Sequence, residues 1–169
     1  MKPETSNTSN TSFRSGEHIV LIDNRQRRYL VDLEEDGEFH SHAGVVPHNQ
    51  IIGTSEATEF RTASNARFIA LRPTLSDHVL KMPRGAQVIY PKDLGAILML
   101  GDVFSGARVF ESGVGSGALS TALLRAGAFV TGYEIREDFA VRAKSNVEMF
   151  LGTDALDHYE VKIRDAYQP

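Results

Sequence analysis

The stretch that decides the fold is Ala107-Arg108-Val109-Phe110-Glu111-Ser112-Gly113-Val114-Gly115-Ser116-Gly117-Ala118-Leu119. Its first four residues predict a strand, and the apolar spacing from Leu119 to Arg125 predicts a helix directly after the glycines. Glycines between a strand and a helix allow the backbone to turn tightly and to approach a ligand without Cβ clashes. The stretch therefore predicts a βα unit whose loop binds a nucleotide-like cofactor.

The alternation of strands and helices continues toward the C-terminus. Residues Ala128 to Tyr133 predict a second strand, and Tyr159 to Ile163 predict a third. Between them, apolar residues from Phe139 to Phe150 share one helix face, and Gly152 ends that helix. Alternating elements of this kind require a parallel sheet with helices packed on it. We therefore predict an α/β fold with a Rossmann-like sheet over residues 106–169.

Toward the N-terminus the pattern becomes β-like. Residues 13–74 contain short apolar segments separated by turn residues, beginning with a predicted hairpin of His18–Ile22 and Arg28–Leu33. Short strands at this spacing predict a small β-barrel-like domain, with a sandwich as the alternative. Eight of the residues in 1–12 are Ser, Thr or Asn, which predicts a disordered tail ahead of that domain.

Residues 75–105 change to a helical spacing and predict a linker with layer helices. A first helix begins at Leu75 and stops before Pro83. Asp93 is placed to cap a second helix, which carries apolar residues between Leu94 and Leu100. The predicted divisions of the chain are therefore 1–12, 13–74, 75–105 and 106–169.

The composition is that of an ordinary globular protein. The 169 residues carry a formal net charge of −4, with 41% hydrophobic and 24% charged residues. Because no apolar run reaches the roughly 18 residues of a membrane-spanning helix, and the N-terminus lacks a secretory signal pattern, we expect a cytoplasmic protein without membrane contact. The absence of cysteine excludes disulfides, zinc-thiolate sites and thiol nucleophiles. The acidic balance argues against nonspecific coating of nucleic acid, while a specific RNA partner stays open.

Glu111 bears on which cofactor the glycine loop binds. The spacing of Gly113, Gly115 and Ala118 also satisfies the dinucleotide fingerprint, so the glycines alone do not choose between NAD and S-adenosylmethionine. Glu111 stands two residues before the first glycine, where its carboxylate would repel the pyrophosphate of a dinucleotide. A carboxylate attracts the sulfonium and ammonium groups of S-adenosylmethionine, so this position favours that cofactor.

Two further acids follow the other predicted strands. Glu134 comes 21 residues after Gly113, at the end of the second strand, where an acid accepts the ribose hydroxyls of either cofactor. Asp165 lies just past the third strand, on the same edge of the sheet, where an acid can accept the amino group of an adenine. Three acids at three successive strand ends are therefore expected to converge on one crevice.

Two other groups of polar residues have less specific patterns. Basic residues before the glycine loop fit either a tRNA platform or a solvated charged face. The histidines His40, His42 and His48 fit a polar strand and turn, and without supporting cysteine or carboxylate spacing we predict no metal site. The basic residues are Arg25, Arg27, Arg28, Arg61, Arg67, Arg72, Lys81, Arg84 and Lys92.

The stretch from Glu111 to Leu119 resembles the first motif of class I S-adenosylmethionine-dependent methyltransferases. More narrowly, four motifs resemble the bacterial and archaeal tRNA adenine-N1 methyltransferases, which modify the adenine at tRNA position 58 in the T loop. The likeness runs from about Phe13 to Asp165. The four motifs are Gly37-Glu38-Phe39-His40-Ser41-His42, Leu71-Arg72-Pro73, Met82-Pro83-Arg84-Gly85 and Tyr90-Pro91-Lys92-Asp93.

This resemblance implies roles for residues already singled out. It implies that Gly113 to Leu119 surround the methionine part of S-adenosylmethionine, that Glu134 holds the ribose and that Asp165 contacts the adenine. It also implies a tRNA substrate, a small β domain ahead of the catalytic domain, and a homotetramer. The predicted cofactor-binding residues are Glu111, Gly113, Val114, Gly115, Ser116, Gly117, Ala118, Leu119, Glu134 and Asp165.

The chain departs from the family's pattern near Pro169. In the family, the catalytic carboxylate lies in an Asp-Leu-x-x-Pro-like motif after the fourth strand, whereas this chain ends after the third. We therefore assign no catalytic residue and expect a chain truncated at its C-terminus, with the N-terminal half of the sheet and a bare, apolar edge on its first strand. Two alternatives stay open, a noncatalytic S-adenosylmethionine- or RNA-binding module and an NAD-dependent oxidoreductase.

Overall fold

A computed structural model describes residues 12–85 and 87–168 of the chain. These residues form two compact units, one ending at Pro73 and one beginning at Thr74. The predicted tail, apart from Ser12, lies outside the described residues. Among the helices that are described, none has both the length and the apolar character needed to cross a membrane.

The described part of the first unit contains six strands in two sheets and a short 3-10 helix at His48–Gln50. Four strands form an antiparallel sheet in the order β2-β1-β6-β5, and β3 and β4 form a separate hairpin. The predicted hairpin is confirmed, because β1 pairs antiparallel with β2 from His18 opposite Asp32 to Ile22 opposite Arg28. The strands are β1 His18–Asp23, β2 Arg28–Asp32, β3 Glu38–Ser41, β4 Gly44–Pro47, β5 Glu59–Arg61 and β6 Arg67–Leu71.

Side chains rather than a strand ladder connect the hairpin to the larger sheet. The hydroxyls of Thr62 and Ser64 both donate to the backbone carbonyl of Ala43, at 2.9 and 2.7 Å. Apolar residues of both sheets fill a single core that includes Leu21, Val46 and Phe68, each fully buried. The first unit therefore has a core of its own.

Asp23 organises the turn between β1 and β2. Its carboxylate accepts hydrogen bonds from the backbone N–H groups of Arg25 and Arg27, at 2.9 and 3.0 Å, and from Nε of Arg27 at 2.7 Å. Burial raises the pKa of Asp23, but the hydrogen bonds from Arg27 and Arg25 outweigh it and lower the pKa to about 2. The carboxylate therefore stabilises the turn in its ionised form.

Asp23→Asn is expected to lower the thermal stability of the first unit at neutral pH, because an amide replaces an acceptor-only group. Since the pKa is about 2 in the folded protein and 3.8 ordinarily, the wild-type stabilisation is present above about pH 4 and is lost as the pH falls toward 2. Thermal unfolding followed by circular dichroism between pH 2 and 5 measures this. The exposed Glu35→Gln serves as control, and an acid transition unchanged by Asp23→Asn would contradict the assignment.

The second unit is an α/β unit built on a parallel sheet of order β7-β8-β9. The three strands and the helices between them are confirmed, with the third strand at its predicted bounds. Parallel pairing sets Glu111 opposite Gly132 and Glu134 opposite Ile163, so all three strands end at one edge of the sheet. The elements are α1 Leu75–Lys81, α2 Pro91–Leu100, β7 Arg108–Ser112, α3 Ala118–Arg125, β8 Phe129–Glu134, α4 Glu137–Leu151 and β9 Tyr159–Ile163.

The prediction for the start of α2 is wrong. Tyr90 is the N-cap residue and Pro91 occupies the first helical position, so Asp93 lies in the first turn and makes no cap. Proline at the first helical position needs no N–H partner and its φ is already helical, which moves the start of the helix toward the N-terminus. The helix buries Leu94, whereas Leu100 is 89% exposed on another side of it.

One edge and one face of the sheet carry exposed aromatic residues. Within the described residues β7 pairs with β8 alone. Phe110 is 57% exposed and packs edge-to-face on Tyr133, with ring centroids 4.8 Å apart. A groove of about 710 Å³ is lined by Phe110, Phe129 and neighbouring residues, and no glycine-loop residue lines it.

Candidate cofactor-binding site

The loop between β7 and α3, Gly113 to Gly117, has a backbone that requires glycine. Gly113, Gly115 and Gly117 have φ angles of +79°, +58° and +82°, in the left-handed region that L side chains rarely adopt. The N–H of Gly113 donates to the carbonyl of Tyr133 at 2.8 Å, which attaches the loop to the end of β8. A Cβ on Gly117 would lie 3.1 Å from Cα and Cβ of Ala143, so α4 also approaches the loop closely.

Glu134, the last residue of β8, reaches into this loop. Its side chain is buried, and its Oε2 accepts a hydrogen bond from the N–H of Gly115 at 2.9 Å. Its Oε1 accepts from the N–H of Arg136 at 3.0 Å. A carboxylate offers about four acceptor positions, so two remain for a pair of ligand hydroxyls. The geometry fits the predicted ribose contact.

Glu111, on β7, is oriented by a chain of two hydroxyl groups. Ser120 Oγ donates to Glu111 Oε2 at 2.6 Å, and the Tyr159 hydroxyl donates to Ser120 Oγ at 2.9 Å. Ser120 is fully buried, and Glu111 is only 7% exposed. These two hydrogen bonds therefore fix the Glu111 carboxylate in position without a ligand.

The negative charge of the site favours a cationic ligand. Burial raises the pKa of Glu111, the Ser120 hydrogen bond lowers it, and the charge of Glu134 raises it, with a result of about 7. Burial also raises the pKa of the Tyr159 hydroxyl, so that group stays a proton donor. Two buried carboxylates beside one loop leave negative charge that a cationic ligand would neutralise.

Asp165 lies at the same edge of the sheet, two residues after β9. The N–H of Arg164 donates to the carbonyl of Glu134 at 3.0 Å, which holds this segment beside the end of β8. The Asp165 carboxylate accepts from the N–H of Tyr167 at 2.9 Å within its own turn. The structure thus brings Asp165 to the predicted edge, and its contact with an adenine stays a prediction.

The other predicted site residues are mostly buried or packed in the apolar clusters of the second unit. Val114 is buried, and Ser116 Oγ is buried with no hydrogen-bond partner among the described residues. Ala118 and Leu119 pack their side chains into the apolar clusters of the second unit. As α3 begins at Ala118, these two residues offer a ligand their backbone N–H groups.

Four residues that support the site were not found from the sequence: Ser120, Gly132, Asn146 and Tyr159. A Cβ on Gly132 would lie 2.4 Å from Cγ2 of Val114, so a side chain there would displace the glycine loop. An isolated glycine inside a strand pattern signals such a close approach, so Gly132 was within reach of sequence reasoning. The other three act through packing across long sequence separations, for which the sequence carries no local signal.

Gly132→Ala is expected to destabilise the second unit by about 1–3 kcal/mol, because the buried Val114 has to move. Urea unfolding measures the loss. Val114→Ala removes the clashing methyl groups, so the double variant should recover much of what Gly132→Ala loses beyond the cost of Val114→Ala alone. Simple additivity of the two single substitutions would contradict the proposed contact.

The histidines and arginines of the first unit that the sequence singled out make several different local contacts. His40 pairs with Glu38 at 3.0 Å, His42 contacts Arg27, and His48 accepts from the N–H of Glu34. No group of side chains among the described residues has the arrangement of a metal site. The arginine ion pairs join Arg27 to Asp23, Arg61 and Arg67 to Glu59, and Arg72 to Glu17 and Glu56.

A parallel sheet with a glycine loop between two buried strand-end acids is typical of the cofactor-binding half of class I S-adenosylmethionine-dependent methyltransferases, and the predicted fold class is confirmed by the comparisons. A family model described as the tRNA methyltransferase complex GCD14 subunit matches residues 67–168, and a TrmI-like N-terminal model matches residues 12–58. The chain belongs to the GCD14 family of tRNA methyltransferases.

Curated relatives and solved structures agree with this family. The chain is 36% identical over 151 residues to the tRNA (adenine(58)-N(1))-methyltransferase TrmI of Thermus thermophilus, covering 88% of this chain and 59% of that protein. It is similar to a SAM-dependent O-methyltransferase of Thermotoga maritima, with a TM-score of 0.84 and 34% identity over 91% of this chain and 58% of that one. The tRNA (m1A58) methyltransferase TrmI of Aquifex aeolicus gives a TM-score of 0.81 and 27% identity over 94% and 61%. The chain therefore spans somewhat over half the length of these relatives.

Proposed function

We propose that this chain takes part in transferring a methyl group from S-adenosylmethionine to N1 of the T-loop adenine at tRNA position 58. One observation carries the proposal: Glu111 and Glu134, both buried, converge on the glycine loop. In this proposal the first unit is the family's β domain, and the second unit is the cofactor-binding half of the catalytic domain. The TrmI proteins of Thermus thermophilus and Aquifex aeolicus are named for methylation of that adenine, which supports the choice of substrate.

The polar groups around the loop fit S-adenosylmethionine better than NAD. Glu111 would attract the positive charge of the methionine part, whereas it would repel a pyrophosphate. Glu134 keeps two acceptor positions for the ribose hydroxyls. When bound, S-adenosylmethionine supplies an electrophilic methyl group. The role of these residues is to hold and orient the donor.

Methyl transfer depends mainly on alignment of the two reactants. The nucleophilic nitrogen has to approach to about 3 Å in line with the bond that breaks, so a rigid donor site lowers the entropic part of the barrier. The adenine has to leave its stack to present N1, as base-modifying enzymes require. The glycine loop, fixed at Tyr133 and Glu134, would provide the rigid donor site, and we assign no catalytic residue in this chain.

We propose that tRNA contacts lie on exposed cations near the start of the second unit. The first unit carries eight basic and ten acidic side chains over residues 1–73, a formal charge of −2, and its ion-paired arginines include Arg27, Arg61, Arg67 and Arg72. Lys81 and Arg84 are exposed and precede the glycine loop, as does the exposed Lys92, whose Nζ lies 3.7 Å from Oδ1 of Asp93. Exposed cations of this kind neutralise phosphates and give binding a steep salt dependence.

A calorimetric titration of the folded chain with S-adenosylmethionine, with NAD as control, tests the cofactor. Methylation of a tRNA transcript with adenine at position 58, compared with a guanine variant, then tests the reaction with this chain and with a longer chain. Binding followed by methylation of the adenine transcript alone supports the proposal. Binding without methylation in either chain favours a noncatalytic S-adenosylmethionine- or RNA-binding module, and preferential NAD binding favours an oxidoreductase.

Assembly and location follow from the same proposal. We propose a homotetramer, the state that the resemblance implies, and light scattering of the purified protein measures it. We also propose a cytoplasmic location, where tRNA is available as substrate. Fractionation of cells carrying a tagged chain tests that placement.

A further inference from the structure

The buried amide of Asn146 joins two segments that lie far apart in sequence. Its Nδ2 donates to the carbonyl of Ser116, in the glycine loop, and to the carbonyl of Pro83, both at 2.9 Å. These acceptors lie 30 and 63 residues away along the chain. An amide nitrogen has two hydrogens, and both are used here.

The orientation of this amide is fixed by its acceptors. A flip would turn Oδ1 toward two carbonyl oxygens and lose both hydrogen bonds. Asn146 is 1% exposed, so solvent offers no replacement partner. An apolar side chain at this position would take the donor from both carbonyls, and at the buried Ser116 carbonyl the loss costs more than a solvent-exposed bond would.

Neighbouring residues of α4 contact the same two segments. Ala143 lies against Gly117, where a Cβ would come within 3.1 Å of it. Arg142 and Phe139 border Gly85, where a Cβ would lie 2.5 Å from Nη1 of Arg142. One side of α4 therefore supports both the glycine loop and the segment Pro83–Gly85, with Asn146 bonded to each.

We propose that Asn146 is a positioning residue that couples the segment Pro83–Gly85 to the glycine loop. This inference rests on the proposed function, because the ligand whose binding the coupling affects is S-adenosylmethionine. Coupling between two sites is reciprocal, so a ligand that orders the loop also reduces opening of Pro83–Gly85, and release of that segment weakens ligand binding. The exposed Arg84 lies in the coupled segment and reports on its opening.

Limited trypsin digestion of the full chain, with mass spectrometry of the fragment ending at Arg84, measures that opening. The variants are Asn146→Asp, which removes both donors at nearly constant shape, and the milder Asn146→Ala. Val147→Ala is the control, because it opens a cavity at the next, fully buried residue of α4 and leaves both hydrogen bonds in place. Calorimetry with S-adenosylmethionine accompanies each digestion, and circular dichroism confirms that each variant is folded.

S-adenosylmethionine is expected to slow cleavage at Arg84 in the wild type and in Val147→Ala. In Asn146→Ala, cleavage without ligand rises, the ligand protects much less, and affinity falls by about tenfold, the effect of one lost buried hydrogen bond. If Asn146→Ala and Val147→Ala show the same protection and affinity at similar melting temperatures, Asn146 is only structural and the inference is overturned. If the wild type binds no S-adenosylmethionine, the proposed function and the coupling are both overturned. If the wild type binds it and the two variants behave alike, only the coupling is overturned.

Discussion

Glu111→Gln is expected to remove a pH dependence from the stability of the second unit. The pKa of Glu111 is about 7 in the folded protein against an ordinary 4.5, so the folded state keeps a proton that the unfolded state has released. Stability therefore falls as the pH rises from about 4.5 to 7, by about 3 kcal/mol in all. Glutamine cannot ionise, so the variant should show a flat profile and exceed the wild type at pH 8.

The same substitution is expected to change ligand binding in the opposite direction. A cationic ligand binds the ionised carboxylate, of which about 1% is present at pH 5 and about half at pH 7, so wild-type affinity for S-adenosylmethionine should rise about 50-fold between these pH values. Glu111→Gln should bind more weakly at pH 8, with little dependence on pH. Calorimetry and urea unfolding across this range measure both effects.

The exposed Glu137→Gln serves as the control for Glu111, since it makes the same chemical change on the surface of α4. It should keep both wild-type profiles. Ser120→Ala removes the donor that lowers the pKa of Glu111, so it should move both profiles to higher pH. If Glu111→Gln kept the wild-type slope of affinity against pH, another group would be responsible for it.

Glu134→Ala is expected to weaken S-adenosylmethionine binding by about 2–3 kcal/mol, which is roughly 30–150-fold in Kd. The substitution removes the acceptor for the ribose hydroxyls and leaves the N–H groups of Gly115 and Arg136 without their carboxylate partner. Calorimetry measures the loss. Glu160→Gln, an exposed change on the neighbouring strand β9, is the control and should bind as the wild type does.

Methylthioadenosine separates the roles of the two acids, because it keeps the ribose and lacks the charges of the methionine part. Its binding should be lost with Glu134→Ala and nearly unaffected by Glu111→Gln. Equal losses in both variants would mean that the two substitutions disturb the glycine loop as a whole. That outcome would sink the separate assignments of ribose and methionine contacts.

Local sequence patterns account for the parts of the fold that were predicted. Helix α4 was predicted to end at Gly152, whose φ of +86° suits the residue after a helix. The start of α2 was missed because Asp93 and Pro91 are both strong N-terminal signals, and the proline set the boundary. Local sequence signals therefore predict which helices and strands form. They do not decide between two residues that could each begin a helix.

The candidate site divides in the same way. Glu111, Glu134 and the glycine loop follow from strand ends and a contiguous motif, so the sequence predicts them together. The hydrogen bond from Tyr159 to Ser120 spans 39 residues, and the bond from Asn146 to Ser116 spans 30. Such partners are decided by how α3, α4 and β9 pack, and no local pattern reveals that packing.

The uncovered side of β7 is expected to affect how this 169-residue chain behaves in concentrated solution. In the described part of the chain, β7 has a single strand neighbour, and Phe110 beside it is 57% exposed. An unpaired strand edge is a template for pairing with another copy, and pairing of two copies is a bimolecular event. The rate at which protein is lost from solution is therefore expected to grow with the square of its concentration, so the fraction lost in a given time should fall as the sample is diluted.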